Sequence, residues 1–429
     1  MRITVRNGRL IDPATGIDAP NDLHLAEGRI VAVGPAPEGF TAERTLDAAG
    51  RWVLPGLVDL RARLREPGFE HKATIASETR AAAAGGITTL CCPPDTQPII
   101  DTPAVVELIR RRAEAAGCAR VLTLGALSAG LAGEQLAEMH ELKRAGVVGV
   151  SNALAPITNT LVMRRALEYA ASHGLTVFLY PEDAWLRNHG CAHEGALSTR
   201  LGLPGIPEAA ETVAVGRELM LIEQTGVRAH FGPLSTARAV KLLARAQYDG
   251  LPVSADVTAH QLHLSEMDIG YFNTDCHVRP PLRTQRDRDG LRAGLAKGTV
   301  AAVCSDHQPH DTDAKLAPFA ESEPGISALE TLLPLSLRLV DDGVIPLMDL
   351  IARLTIHPAR ILGIDAGTLA PGAAADVCIV DPEARWEVSP ETLLSHGHNT
   401  PFMGWELKGR VTHTIFEGRI VHSLSASDE

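Results

Sequence analysis

The middle of the chain repeats one unit eight times: a short apolar run that stops at a loop, then a segment of helical period. The runs are Leu57–Leu64, Ile87–Cys92, Val121–Leu127, Val147–Val150, Thr176–Tyr180, Arg228–Gly232, Pro252–Val257 and Thr299–Cys304. Near-continuous apolarity marks strands covered on both faces, the condition of a parallel sheet flanked by helices. Between the runs, Ala104–Ala116, Leu161–Ala171, Ala210–Gln224 and Thr236–Gln247 carry apolar residues at helical spacing. Several of these segments close on a glycine, as at Gly117, Gly174, Gly226 and Gly250. Eight alternating units predict an α/β fold, a (β/α)8 TIM-type barrel over residues 51–365, with function carried by the loops that follow the strands.

The flanks read differently. Residues 1–50 and 366–429 show short strands, among them Asp376–Val380 and Val411–Phe416, with turns at Arg6-Asn7-Gly8 and Ala26-Glu27-Gly28. Neither flank can bury a core alone, so the two ends are expected to pair into one small β-sandwich beside the barrel, with the tail 423–429 fraying. The net charge of −12 comes from interspersed acids and bases, which leaves no basic stripe for nucleic acid and no polybasic patch for a membrane surface. The start, Met1–Asn7, alternates like a strand and lacks the apolar run of a signal peptide. Seven cysteines in no CxxC pattern suit a reducing cytoplasm, where the chain is expected to reside.

Arg61 and Arg63 stand two apart at the end of the first run, and on a strand such residues point to the same side. Both guanidiniums then face the barrel mouth. Arginine has no lone pair to donate and stays protonated at physiological pH. At an effective dielectric of about 20 and a separation of about 5 Å, each fixed charge opposes a divalent cation by roughly 6 to 7 kcal/mol. A mouth furnished in this way is predicted to hold no zinc.

Eight frames then line up on the strand ends: Leu64-Arg65-Glu66-Pro67-Gly68, Pro94-Asp95-Thr96-Gln97-Pro98, Glu182-Asp183, Leu234-Ser235-Thr236-Ala237, Asp256-Val257-Thr258-Ala259-His260, Pro280-Pro281-Leu282-Arg283, Asp306-His307-Gln308-Pro309-His310 and Gly325-Ile326-Ser327-Ala328-Leu329-Glu330. In this order they make the chain resemble a dihydroorotase of the amidohydrolase superfamily over nearly its whole length. The departures fall on the chemistry that the resemblance implies. Arg61 and Arg63 replace the His-x-His pair of the first strand. Ser151-Asn152-Ala153 offers no anion where the fourth strand should carry a bridging ligand. Tyr180 and Pro233 replace imidazoles after the fifth and sixth strands, and Asp306 alone keeps its type. One carboxylate beside two guanidiniums cannot activate water as a binuclear site does. Asp306 is therefore expected to pair with Arg61 or Arg63 as the organiser of the centre.

Arg65 and His310 match residues that grip the dihydroorotate carboxylate in active relatives, whereas Asp95 replaces an asparagine and would repel it. His260, His263 and His307 are read as loop histidines, not as a displaced metal site, and Lys143 as part of the solvated face of the helical run Ala137–Ala145. The Arg/Arg, Tyr and Pro replacements resemble those of the non-catalytic dihydroorotase-like chains. That likeness implies a pseudoenzyme that scaffolds the catalytic chain of aspartate carbamoyltransferase in pyrimidine biosynthesis, with self-association of the barrel. Two further readings stay open: an active cyclic-amide hydrolase with an unusual metal site or none, and a sensor that holds an anion near Arg61, Arg63 and Arg65.

Overall fold

The structure, a computed structural model, describes residues 1–424. Eight parallel strands follow one another around a barrel in chain order: Leu57–Asp59, Ile87–Cys92, Arg120–Ala126, Gly149–Ser151, Val177–Leu179, Ala229–Phe231, Val253–Thr258 and Ala302–Cys304. Each lies within or against one of the eight apolar runs. Helices Pro103–Ala116, Thr160–Ser172, Glu208–Thr225 and Ala237–Tyr248 alternate with them. Gly117 and Gly226 end their helices in the left-handed conformation, at φ 64 and 66, which a side chain would strain. Val58, Leu60, Cys91, Leu124, Phe178 and Cys304 form a buried cluster, joined by Ala359 and Leu362 of helix Ile356–Leu362.

The first strand is shorter than its sequence suggests. Leu60-Arg61-Ala62-Arg63-Leu64 alternates like a strand, but the backbone leaves the ladder after Asp59. The freed segment closes the seam between the first and eighth strands, which share one isolated bridge, Ala62 with His307, among the described residues. The Arg63 amide donates to the His307 carbonyl at 2.9 Å. The Asp59 carboxylate accepts from the Ser305 amide at 2.9 Å and from the Ser305 hydroxyl. Burial pushes the Asp59 carboxyl up to about 7.

The two ends of the chain share one eight-stranded sheet: Ile3–Asp12, Ile17–Ala26, Arg29–Val33, Arg44–Asp47, Trp52–Pro55, Val377–Glu387, Glu406–Phe416 and Arg419–Ser423. Trp52–Pro55 joins the halves, parallel to Ile3–Asp12 and antiparallel to Val377–Glu387, so this sheet reaches past the boundary expected at residue 50. Strand Ile3–Asp12 pairs with Arg44–Asp47 over its first half and with Trp52–Pro55 over its second. The sheet divides there around a core of its own that includes Val5, Leu10, Leu23, Val53, Val377 and Ile415.

Of the two expected turns, Ala26-Glu27-Gly28 is one, with φ 54 and 74 at Glu27 and Gly28 in a two-residue hairpin. Asn7-Gly8 is instead a bulge inside Ile3–Asp12, where Asn7 takes φ 62. Asparagine tolerates that conformation, so a bulge and a turn look alike in sequence. The tail expected to fray lies outside the described residues from 425 onward.

Candidate functional site

Arg63 is the hub of the barrel mouth. Its side chain is buried, and its Nε donates to Asp95 Oδ2 at 2.8 Å while Nη1 donates to Asp306 Oδ1 at 3.1 Å. The expected pairing with Asp306 is present, though as one bond, because the guanidinium is shared with Asp95. Asp95 is thereby paired with Arg63 through Oδ2, while its buried Oδ1 has no hydrogen-bond partner among the described residues. Gln308 Nε2 donates to the second Asp306 oxygen at 3.0 Å. Burial works against the Arg63 charge, yet Asp95 and Asp306 more than offset it and hold the guanidinium protonated above its ordinary range.

Arg61 turns to the opposite wall. It donates to the Gly232 carbonyl and sits 3.8 Å from Asp256 Oδ2. Asp256 is fully buried and also accepts from His230 Nε2 at 3.1 Å, while His230 Nδ1 accepts from the Ser254 hydroxyl at 2.8 Å. Burial raises the Asp256 carboxyl, but Arg61 and His230 outweigh it and keep the group ionised below its ordinary pKa. Gly232 is required here, since a Cβ would lie 2.0 Å from Asp256 Oδ1. Sequence reasoning gave Asp256 no role. The signal was available, because Ser254, Asp256 and Thr258 alternate as polar residues on one side of a buried strand.

Arg65, at φ 62, points along the rim and donates to the Pro309 carbonyl at 2.9 Å. Burial, with Arg63 beside it, pulls its guanidinium down to about 10. Its Nη2 lies 3.1 Å from His310 Nε2. Lys72 donates to His310 Nδ1 at 3.3 Å, and His310 Nε2 also lies 3.1 Å from the Pro324 carbonyl. Burial and the neighbouring Arg65 and Lys72 pull the imidazole down to about 2, so it is neutral. Lys72 also pairs with Glu323. Arg65 and His310 are thus together, as the sequence implied, but both are engaged by protein.

The remaining positions are occupied in their own ways. Asn152 Oδ1 accepts from the Ser128 amide and hydroxyl, and its Nδ2 donates to the Leu131 and Ala155 carbonyls, so the side chain ties its loop together. Tyr180 is buried beneath Arg279, whose guanidinium lies 5.5 Å from the ring centroid, and burial pushes its phenol well above the ordinary range. Pro233 presents no donor atom. His307 bridges the Glu78 carboxylate and the Ala328 amide, and His263 contacts the Leu335 carbonyl, both as loop histidines. His260 is buried and pulled down to about 3 by that burial. Lys143 lies on helix Met139–Ala145 and donates to the His173 carbonyl on its exposed side.

This donor set does not fit the zinc pair implied by the family. The two first-strand positions are cationic, Asn152 has no free lone pair aimed at the mouth, and Asp306 is held by Arg63 and Gln308. Among the described residues, no three His, Cys, Asp or Glu side chains stand together as metal ligands. Space is equally limiting. The voids beside Arg61, Arg63 and Tyr180, and beside Arg63, Arg65 and Asp95, hold about 10 Å³ each. That is room for about one water, against several hundred Å³ for a typical small-molecule pocket.

Comparison with known proteins agrees with the fold and the motifs. A family described as Dihydro-orotase-like matches residues 50–238, and one described as Amidohydrolase family matches residues 325–422. The chain is 52% identical to the Dihydroorotase-like protein of Pseudomonas putida, over 98% of this chain and 99% of that one. It is 46% identical to a protein named Dihydroorotase from Anaeromyxobacter sp. (strain K), over 99% and 98%. Among solved structures, the L-hydantoinase of Arthrobacter aurescens superposes with a TM-score of 0.87 at 23% identity, covering 98% of this chain and 96% of that one, which is a likeness of fold. By sequence, motif order and architecture, the chain belongs to the dihydroorotase-like family.

Proposed function

We propose that this chain is a non-catalytic member of its family, a structural and regulatory partner of the aspartate carbamoyltransferase catalytic chain. The observation that carries the first half is the position of Arg63. Its guanidinium fills the ligand position of the first strand and ties up Asp306, the remaining acidic ligand, at 3.1 Å. Hydrolysis of a cyclic amide needs an activated water and a group to move its proton. Here the carboxylate that would do this is already the acceptor of two protein hydrogen bonds. The water-sized voids beside Arg61, Arg63 and Arg65 favour the same reading over a hydrolase, and over a sensor for an anion larger than water.

The second half, the partner, rests on the resemblance of the Arg61, Arg63, Tyr180 and Pro233 replacements to the non-catalytic chains. Sedimentation of the purified chain mixed with the aspartate carbamoyltransferase chain of the same organism tests it, alongside zinc content and dihydroorotate hydrolysis. A joint species, with less than one zinc in ten chains and no ring opening, is expected. Stoichiometric zinc with turnover defeats the first half, and two independently sedimenting species defeat the second.

A further inference from the structure

Two loops at the barrel mouth form a surface that the folded chain does not itself use. One runs from Ser265 to Cys276 after the seventh strand, and the other from Asp311 to Glu323 after the eighth. They are bolted together: the Thr274 hydroxyl donates to the Lys315 carbonyl at 2.8 Å, and Lys315 Nζ returns a bond to the Thr274 carbonyl at 3.0 Å and another to the Glu323 carbonyl at 2.7 Å. Lys72 holds the second loop down through Glu323. The loops are therefore built to hold a shape.

What that shape presents is unusual for a solvent-facing loop. Tyr271 is 100% exposed, Leu316 80%, Met267 63% and Phe272 45%. Phe272 adopts φ 64, a conformation costing a bulky residue about 1 kcal/mol or more. The segments also carry seven acidic residues, Glu266, Asp268, Asp275, Asp311, Asp313, Glu321 and Glu323, against Lys315, whose ammonium is turned inward to backbone carbonyls; Lys72 matches Glu323, and the other six carry the excess. Exposed aromatic and aliphatic side chains in a charged surround are the composition of an interface centre with its rim. The sign of the rim selects the partner.

We propose that this acidic, aromatic collar is the face that docks a partner protein whose contact surface is basic around an apolar socket. The assignment rests on the scaffold reading above and names where that scaffold would engage. The salt-weakened attraction follows from the excess of carboxylates, and the anchor from Tyr271 and Leu316.

The test uses two surface variants of the full chain, Tyr271→Ser with Leu316→Ser and Asp313→Lys with Glu321→Lys, mixed with the purified aspartate carbamoyltransferase chain and read by sedimentation and by calorimetry at two salt concentrations. Unchanged melting temperatures verify folding. The expected result is assembly of the unaltered chain, weakened about tenfold or more by the apolar pair, with the charge-reversal pair weaker at low salt and less distinguishable at high salt. If the unaltered chain and both variants assemble alike, the collar is not the docking face, while the scaffold reading stands. If the unaltered chain does not assemble, the scaffold reading fails and takes this partner with it. If the variants instead dissolve an oligomer of the chain alone, the collar joins copies of this chain and the proposal is overturned.

Discussion

Replacing Arg63 by methionine removes the hub of the mouth while nearly preserving its volume. Asp306 then keeps Gln308 as its side-chain partner, in a position where its side chain is 5% exposed. At 3.1 Å and an effective dielectric of about 20, the lost attraction is about 5 kcal/mol, and breaking a buried pair of this kind costs about 3 to 5 kcal/mol after relaxation. Asp95, with its side chain 23% exposed, adds less, about 0 to 1 kcal/mol. A total near 4 kcal/mol is therefore expected for Arg63→Met, measured by urea titration at unchanged m-value. Adding Asp306→Asn removes the stranded charge and should return about 1 to 2 kcal/mol. The exposed Arg110, paired with Glu107 and Glu114 on a helix surface, serves as control, and Arg110→Met should lie within about 0.5 kcal/mol of the parent. A loss at Arg63 no larger than at Arg110, or no recovery in the double variant, would refute the view of Arg63 as the organiser.

On the proposed reading, Arg61→His with Arg63→His should bring neither zinc nor ring opening, because Asn152, Tyr180 and Pro233 still supply no ligand; zinc uptake with hydrolysis of dihydroorotate by that variant would show that those three positions matter little. Stability should fall between pH 6.5 and 8. The Asp59, Glu218 and Glu330 carboxyls are pushed up, chiefly by burial, to about 7, 8 and 8. These folded values lie above the unfolded ones near about 4, so the native state binds the extra protons and stability falls as pH rises towards 8. His193, His260, His263, His277 and His310 are pulled down to about 4, 3, 4, 4 and 2, chiefly by burial, so they cost stability as pH drops below about 6.5. Below 6.5 imidazoles and carboxyls pull in opposite directions, and above it the carboxyls set the slope, joined by Glu211 and Asp306, which burial also pushes up; a melting temperature that climbs steadily from pH 6.5 to 8 would contradict this.

The barrel was legible because parallel strands buried on both faces must be apolar throughout, and Ile87–Cys92 runs from end to end as the sequence suggests. The end of the first strand was not, because Arg61 and Arg63 alternate with leucine and alanine whether or not the backbone remains in a ladder. Residue types at the mouth were readable. Their pairings were less so. Arg61 finds Asp256 and Gly232, and Arg63 divides itself between Asp95 and Asp306, contacts that only the closed barrel brings together. Asn152 likewise reads as a vacant ligand position in sequence, yet its loop uses every hydrogen bond it can make.

Around the circumference of the cylinder, seven joints between neighbouring strands are ladders of backbone bonds, whereas the eighth is clasped by Asp59 on Ser305 and by Arg63 on His307 and Asp306. The hoop is therefore weakest along the line its guanidinium straddles. Local opening should begin there, and amide protons of Arg63, Ser305 and His307 should exchange with solvent sooner than those of the Val253–Thr258 strand, which sits between two full ladders. A buried arginine at the end of the first strand is in this way the buckle of the barrel.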